Sequence, residues 1–364
     1  MKSNFIKKII CVPNYLSMPT VGVDIGNRFI RYIDLNNKKG KLSLKRYGEV
    51  AIPSGVIKDG EILNKDILVN LLIELKKQFS SDFINISIPE DKNYIFNIKI
   101  PKVPEKEIRQ ILEFKIEENV PLKLDESYFE YEIVEEFSDK KELFLNVSVV
   151  PRKMISEYSE IFGLAGLYPL SFETESRMTA FSVIPKGSKK TFMIINIKDD
   201  SAVLSIVSGR TVCLTSTVSI GNYSIIESLS KSPEYKDKKI DKLPDDFFYS
   251  NKGYDINAFN SLLNIFSVFK DEIEKFTNYW LSQDDKTKNN FSIEIEKVFI
   301  CGRSSALPSF REHIIQNLNV QIELANVWQN VFKLEDVVPD IKFVDSLDYA
   351  IPIGLALISH KKDA

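Results

Sequence analysis

The stretch that decides the fold is Val21-Gly-Val-Asp-Ile-Gly26, a short apolar strand that ends in an acid and a glycine. Two alternating runs follow it, Phe29-Ile-Arg-Tyr-Ile-Asp34 and, past the polar turn at Asn36–Gly40, Leu42–Val50. Alternation with polar turns between the runs predicts a meander of antiparallel strands. The same order returns later in the chain. Thr191–Ile197 is followed by a polar connection at Lys198–Ser201, by Ala202–Val207, and by Val212–Ile220 just ahead of Gly221-Asn222. This weak internal duplication implies an α/β protein with two sheets built alike and facing each other across a cleft.

Helical patterns sit between and beyond these strands. Asp66–Phe79 places Leu68, Leu71, Leu72, Leu75 and Phe79 on one face, and Phe83–Ser87 then reads as a strand. A different unit starts near Tyr94: prolines at 101 and 104, then a charged helix Glu105–Asn119 with Ile108, Ile111, Leu112 and Ile116 turned inward, ended by Pro121. Strands at Tyr128–Val134 and Leu143–Val150 and a helix from Arg152 to Ala165, stopped by Gly166, complete it. Asn257–Leu281 carries Leu262, Phe266, Phe269, Ile273, Phe276 and Trp280 in a stripe suited to packing on a sheet. Val298–Cys301 reads as a buried strand, Gly302–Pro308 as a small-residue loop, and a helix is expected from Ser309. In the closing helix, Ala350–Ser359, small residues at 350, 354 and 356 allow close approach to a neighbour. Ser228–Tyr254, rich in Lys, Asp, Pro and Asn, reads as an exposed loop.

Composition narrows the function. The 364 residues, 44% hydrophobic, are enough for two domains, and the net charge of 48 − 51 = −3, with basic residues dispersed among acids, gives no nucleic-acid track. Three distant cysteines make no disulfide framework or zinc pair, and two histidines make no histidine-rich metal site. These features fit a reducing interior. The opening nineteen residues have only a four-residue apolar burst, Ile9–Val12, too short for a secretory signal, and read as a flexible leader. No run reaches the roughly 18 apolar residues of a spanning helix.

Asp24 and Gly26 stand where a strand-end acid orients Mg²⁺ and a glycine lets backbone amides approach a phosphate. The alternative reading of this triplet is an ordinary hairpin turn with a solvated acid. There is no GxxxxGK[ST] loop and no dinucleotide fingerprint.

Taken in order, these segments resemble the type IV pilus assembly protein PilM family, an actin-like, FtsA-related group. The resemblance rests on Val21–Gly26, on Pro53-Ser-Gly55 and Asp59-Gly-Glu61, and on Glu105–Asn119 with its exit Val120-Pro-Leu122. It continues through Ala165-Gly-Leu-Tyr-Pro169 with Glu173 and Glu175, Ile300–Pro308 and Tyr349–Leu357, and spans roughly residues 20–358. It implies two RNase H-like domains facing a central cleft, 20–94 plus 173–188 and 189–360, with an FtsA-like subdomain inserted at 95–172. It further implies ATP and Mg²⁺ in the cleft, Asp24 at the metal, and Gly26, Asn27, Arg28, Asn196, Lys198, Gly221, Gly302 and Arg303 around the nucleotide. Glu173 and Glu175 would be the acids available to activate water. The implied partner is a PilN-like bitopic membrane protein, gripped by its short cytoplasmic N-terminal tail, with other pilus platform proteins around it. That places the chain in the cytoplasm at the inner face of the membrane.

Several positions depart from the family pattern. Asn196-Ile-Lys198 replaces an Asp-Ile-Gly triplet, and an amide lacks the charge that a carboxylate offers magnesium; Asp199 or Asp200 would have to substitute. Asn27-Arg-Phe29 replaces small hydroxyl residues, while Gly221-Asn222 and Gly302-Arg303 each replace a glycine pair. Four changes on one surface predict weakened or lost nucleotide binding and at most slow Mg-dependent ATP hydrolysis. The chain therefore reads as a scaffold. The alternatives are an active ATPase or small-molecule kinase of the actin and sugar-kinase superfamily, and an FtsA-like membrane-associated polymer of the chain with itself.

Overall fold

The computed structural model describes residues 19–38, 40–134, 138, 141–231, 256–282, 294–308, 310, 313 and 320–360. The leader, most of the polar loop read at 228–254 and most of the helix expected from Ser309 lie outside the described residues. Strands β1 (Val21–Ile25), β2 (Phe29–Lys38) and β3 (Lys41–Ala51) form the predicted meander, and β4 (Ile57–Lys58) and β5 (Glu61–Ile62) form a short hairpin. Helix α1 (Lys65–Lys76) is capped by the Asn64 side chain, which accepts from the Ile67 amide, and ends a turn before Phe79. Strand β6 (Phe83–Ile88) pairs parallel with β1.

The inserted unit contains β7 (Tyr94–Pro101), α2 (Glu105–Asn119), β8 (Ser127–Ile133) and β9 (Glu142–Pro151), with the strands in the order β7-β9-β8. Helix α3 (Arg152–Leu164) and strand β10 (Tyr168–Thr174) return the chain to the first sheet, whose order is β10-β6-β1-β2-β3. Helix α4 (Glu175–Val183) then leads to β11 (Thr191–Ile197), β12 (Ala202–Ser208), β13 (Thr211–Val218) and α5 (Asn222–Ser230). The long helix α6 (Ile256–Ser282), β14 (Ile295–Cys301), β15 (Ile322–Leu324) and α7 (Ala350–Ile358) follow. The second sheet runs β13-β12-β11-β14-β15. Reversed, the first reads β3-β2-β1-β6-β10, so strand for strand the two sheets have one plan.

Layers follow from which faces are apolar. Leu68, Leu72 and Leu75 of α1 and Tyr158, Ile161 and Phe162 of α3 cover one face of the first sheet. The predicted stripe of α6, from Leu262 to Trp280, is buried against Met193, Ile195, Leu204 and Ile206 of the second. Between the sheets lie α4 and α7, in a shared core that joins Ile33 and Leu35 to Phe192, Ile194 and Phe299 through Val183, Ile353 and Ala356. Glycines make this seating possible. A Cβ on Gly354 would fall 2.0 Å from the Met178 carbonyl oxygen, and one on Gly22 would fall 2.3 Å from that of Pro352.

The insert is tied to the second half. The Asn97 and Asn146 side-chain amides donate to the Cys213 and Val212 carbonyls, each at 2.9 Å, and Val134 and Phe144 are buried in the core under α6. No helix among the described residues is long and apolar enough to cross a membrane.

Candidate functional site: a charged cleft between the two sheets

The duplication places two equivalent tight turns at the ends of β1 and β11. In one, the Gly26 amide donates to the Phe29 carbonyl at 3.0 Å; in the other, the Lys198 amide donates to that of Ser201 at 2.8 Å. The turns therefore correspond residue by residue, with Asn27 matching Asp199 and Arg28 matching Asp200. Their side chains meet. Arg28 Nε lies 2.6 Å from Asp200 Oδ1, and the guanidinium sits 3.8 Å above the Tyr223 ring.

Behind this pair lies a buried one. Arg31, on β2, donates through Nη1 and Nη2 to the two carboxylate oxygens of Asp199, both at 3.0 Å, and through Nε to Glu49 at 2.6 Å. Asp348, in the turn before α7, stands 4.0 Å from the same guanidinium and accepts from the Arg303 amide at 2.6 Å. Burial would lower the pKa of Arg31, but Asp199 and Asp348 reverse this and raise it well above its ordinary value. Burial pushes Asp348 up to about 6, with Arg31 pulling down and Asp199 pushing up.

A second knot lies at the start of α4. Lys198 Nζ meets both oxygens of Glu175, at 2.7 and 2.6 Å, and Glu175 also accepts from the Glu90 amide at 3.2 Å. The Glu90 carboxylate in turn accepts from the Ser176 amide and hydroxyl, both at 2.9 Å. Burial raises Glu175 to about 7, with Lys198 drawing it down and Asp24 pushing it up. The Lys198 ammonium is held above its usual range because Glu175 and Asp24 outweigh its burial. Asp24 accepts a hydrogen bond from Ser87, and burial raises its pKa against the pull of that bond, Lys198 and Arg31.

Of the residues picked out from sequence, Asp24, Arg28, Glu175, Lys198, Gly221, Gly302 and Arg303 come together around this cleft. Gly26 lies in the first of the two turns, and the other three turn away. Asn27 Oδ1 accepts from the Gly60 amide at 3.2 Å, the Asn196 amide donates to Thr179 at 3.3 Å, and Glu173 is paired with Arg177 at 2.9 Å. Sequence reasoning missed Arg31, Glu49, Ser87, Glu90 and Asp348. The available signal was Arg31 inside the apolar run of β2, because a charge in a strand covered on both faces must be paired.

At the start of α5 and in the 302–304 loop, backbone donors that could cradle a phosphate are already used. At the N-terminus of α5, the Asn222 and Tyr223 amides donate to the Lys198 and Asp199 carbonyls at 2.8 and 2.9 Å. In the 302–308 loop, the Ser304 amide donates to the Asn222 side chain at 3.3 Å. Gly302, at φ +87°, and Gly221 are required by the chain's own backbone. A Cβ on Gly302 would lie 1.9 Å from the Ile197 carbonyl oxygen, and one on Gly221 2.5 Å from that of Asp199. Gly26 is different, since an added Cβ would meet nothing closer than 3.5 Å. Asp24, the carboxylate a Mg²⁺ would take, has Lys198 and Arg31 as neighbours. Glu175 and Glu173 are each bound to a cation rather than facing a water. These residues do not fit a magnesium nucleotide. A cavity of about 450 Å³ opens elsewhere, beside β3, between Lys45, Arg46 and Tyr47 and the Val338–Asp340 segment.

The model of a family described as type IV pilus assembly protein PilM matches residues 22–360. No curated protein matches the sequence. Among solved structures, a chain of the PilM-PilN type IV pilus biogenesis complex is similar at 14% identity and a TM-score of 0.75, over 94% of this chain and 99% of that one. MreB5 of Spiroplasma citri bound to AMPPNP is similar at 12% identity and a TM-score of 0.51, over 93% and 95%. The fold is thus actin-like, of the kind in which nucleotide binding occurs.

Proposed function

Since the chain belongs to the PilM family of type IV pilus assembly proteins, we propose that it is a scaffold of the pilus inner-membrane platform that holds the cytoplasmic N-terminal tail of a PilN-like membrane protein. The observation that carries this reading is the end-to-end match to a chain of the PilM-PilN complex, 94% of one chain against 99% of the other. On this reading the protein works in the cytoplasm, held at the inner face of the membrane through that partner, with other platform proteins assembling around the pair. Scaffolding rather than turnover is supported by the engagement of Glu173 and Glu175 with Arg177 and Lys198.

An extended tail needs an unpaired strand edge and pockets for alternate side chains. Strand β6 is unsuitable, because it lies inside the first sheet and is buried. Two strands do end their sheets beside one another, β10 and β8, linked through Arg177, which reaches Glu173 on one and Glu132 on the other at 2.9 and 3.0 Å. Tyr168 and Leu170 of β10 are about half exposed, as is Tyr128 of β8, with the acids Glu130 and Glu132 beside it. Cytoplasmic segments next to a membrane span carry an excess of Lys and Arg. The acidic, aromatic border matches such a tail in charge.

A labelled peptide of the partner's tail, titrated into the full chain, tests this. Leu170→Lys with Tyr168→Lys, which removes the apolar contacts and opposes a basic tail, is expected to weaken binding more than about tenfold, or ~1.4 kcal/mol, at unchanged thermal stability. Undiminished binding by that variant would remove β10 from the site, and a tail that does not bind the wild-type chain would remove the proposal.

A further inference from the structure

We infer that the two halves of this protein are closed on each other by their own ion pairs, which occupy the place of a nucleotide and its metal ion, so that closure does not depend on ATP. The inference concerns the cleft and stands apart from the tail-binding reading. Apart from the Arg31–Glu49 pair, which lies within the first sheet, the ion pairs of the cleft run between segments on its two sides or onto the helix that joins them. Arg28 and Arg31 belong to the first sheet, and Asp199, Asp200 and Asp348 to the second half. Lys198 belongs to the second sheet, and Glu175 opens the connecting helix α4. In an actin-like protein, a nucleotide bridging two such turns supplies negative phosphates with a cation between them. Here Asp199, Asp200 and Asp348 supply the negative charge, and guanidinium groups take the position of the cation.

Two further observations point the same way. The anion-binding amides of α5 and of the 302–304 loop are capped from within the protein, so an entering phosphate would gain no free backbone donors from them. It would also meet Asp199 and Asp348, both with side chains about 9% exposed and aimed at Arg31. Breaking a bidentate, desolvated pair to admit a second anion is unfavourable, since each freed carboxylate would be left unpaired in a low-dielectric site.

The experiment uses the full chain carrying two spin labels, one on an exposed position of α1 and one on an exposed position of α6, with distances measured by pulsed electron resonance. The wild-type distribution is expected to be narrow and the same with and without millimolar Mg-ATP, with a thermal midpoint that ATP moves by less than about 1 °C. Asp199→Asn is expected to broaden the distribution toward longer distances. Arg28→Ala, which removes the half-exposed pair with Asp200 and the contact with Tyr223 and leaves the buried core intact, is expected to give a smaller change in the same direction. Saturable Mg-ATP binding that narrows or shifts the wild-type distribution would overturn the inference. So would distributions in both variants that match the wild type.

Discussion

The two turns that face each other across the cleft share a backbone and differ in charge. Residues 26–29 and 198–201 close on the same amide-to-carbonyl bond after the first strand of equivalent sheets. One turn carries Arg28, and the other carries Asp199 and Asp200. A duplicated fold sets corresponding positions opposite one another, so complementary charges there become a fastener and like charges would become a wedge. The sheet ends differ as well. The β13 end of the second sheet is covered by the insert through Asn97 and Asn146, whereas the β10 end of the first keeps an exposed edge.

The sharpest way to break this comparison is at its centre. Arg31→Met leaves Asp199, Asp348 and Glu49 without their shared cation and is expected to destabilise the protein by about 3–5 kcal/mol. In a urea-denaturation double-mutant cycle, Arg31→Met with Asp199→Leu should cost well under the sum of the single changes. Additive losses would show that the two residues do not act as a pair.

Two glycines at the cleft, one in the first turn and one in the loop after β14, make the next contrast. Gly302→Ala combines positive φ with a Cβ 1.9 Å from the Ile197 carbonyl, and a loss of about 2–4 kcal/mol is expected. Gly26→Ala has ordinary contacts and should stay within about 1 kcal/mol. Equal effects on the unfolding midpoint would contradict the unequal crowding of the two sites.

The Lys198–Glu175 knot makes stability depend on pH. Glu175 is raised from its ordinary 4.5 to about 7, so between those values the folded chain holds a proton that the unfolded chain releases. Stability should therefore fall as pH rises through that window, by a few degrees in thermal midpoint, with Asp348 adding to the slope below about 6. Glu175→Gln should flatten the profile. A midpoint that climbs from pH 5 to pH 7 in the wild type, with the same slope in the variant, would reverse the assignment.

The smallest effect belongs to the rim. Arg28 has a side chain 43% exposed, so its pair with Asp200 and its contact with Tyr223 together are expected to contribute about 0.5–1 kcal/mol, reduced further by salt. Arg28→Ala should shift the urea midpoint slightly at low ionic strength and hardly at all at high.

Much of the fold was legible before any coordinates. The meander, its repeat, the α6 stripe and the small residues of α7 each rest on local periodicity or size, and each is found where the pattern put it. Among the elements that were not legible are α4 and β10, beside strand β7 and the short strands β4, β5 and β15. Helix α4 is buried on nearly every side, from Met178 through Val183, so it has no polar face to set a period. Strand β10 has a register shift between Pro169 and Ser171 that breaks the alternation. In the site, departures from a nucleotide pattern were visible at Arg28, Asn196 and Lys198, but their partners were not. Arg31 and Asp199 are 168 positions apart, and no spacing rule joins them.

The sequence by itself determined two sheets that open on one plan and the apolar faces that bury them, because hydrophobic periodicity and turn chemistry act over a few neighbouring residues. The order of strands across each sheet came with the tertiary structure. Only the tertiary structure decided that Arg31 closes on Asp199 and Lys198 on Glu175, that the glycine of the 302 loop serves the chain's own backbone, and that β10 keeps a free edge. Charge pairing and edge exposure depend on which distant segments are brought within a few ångströms, and that is settled by the packing of α4 and α7 between the sheets.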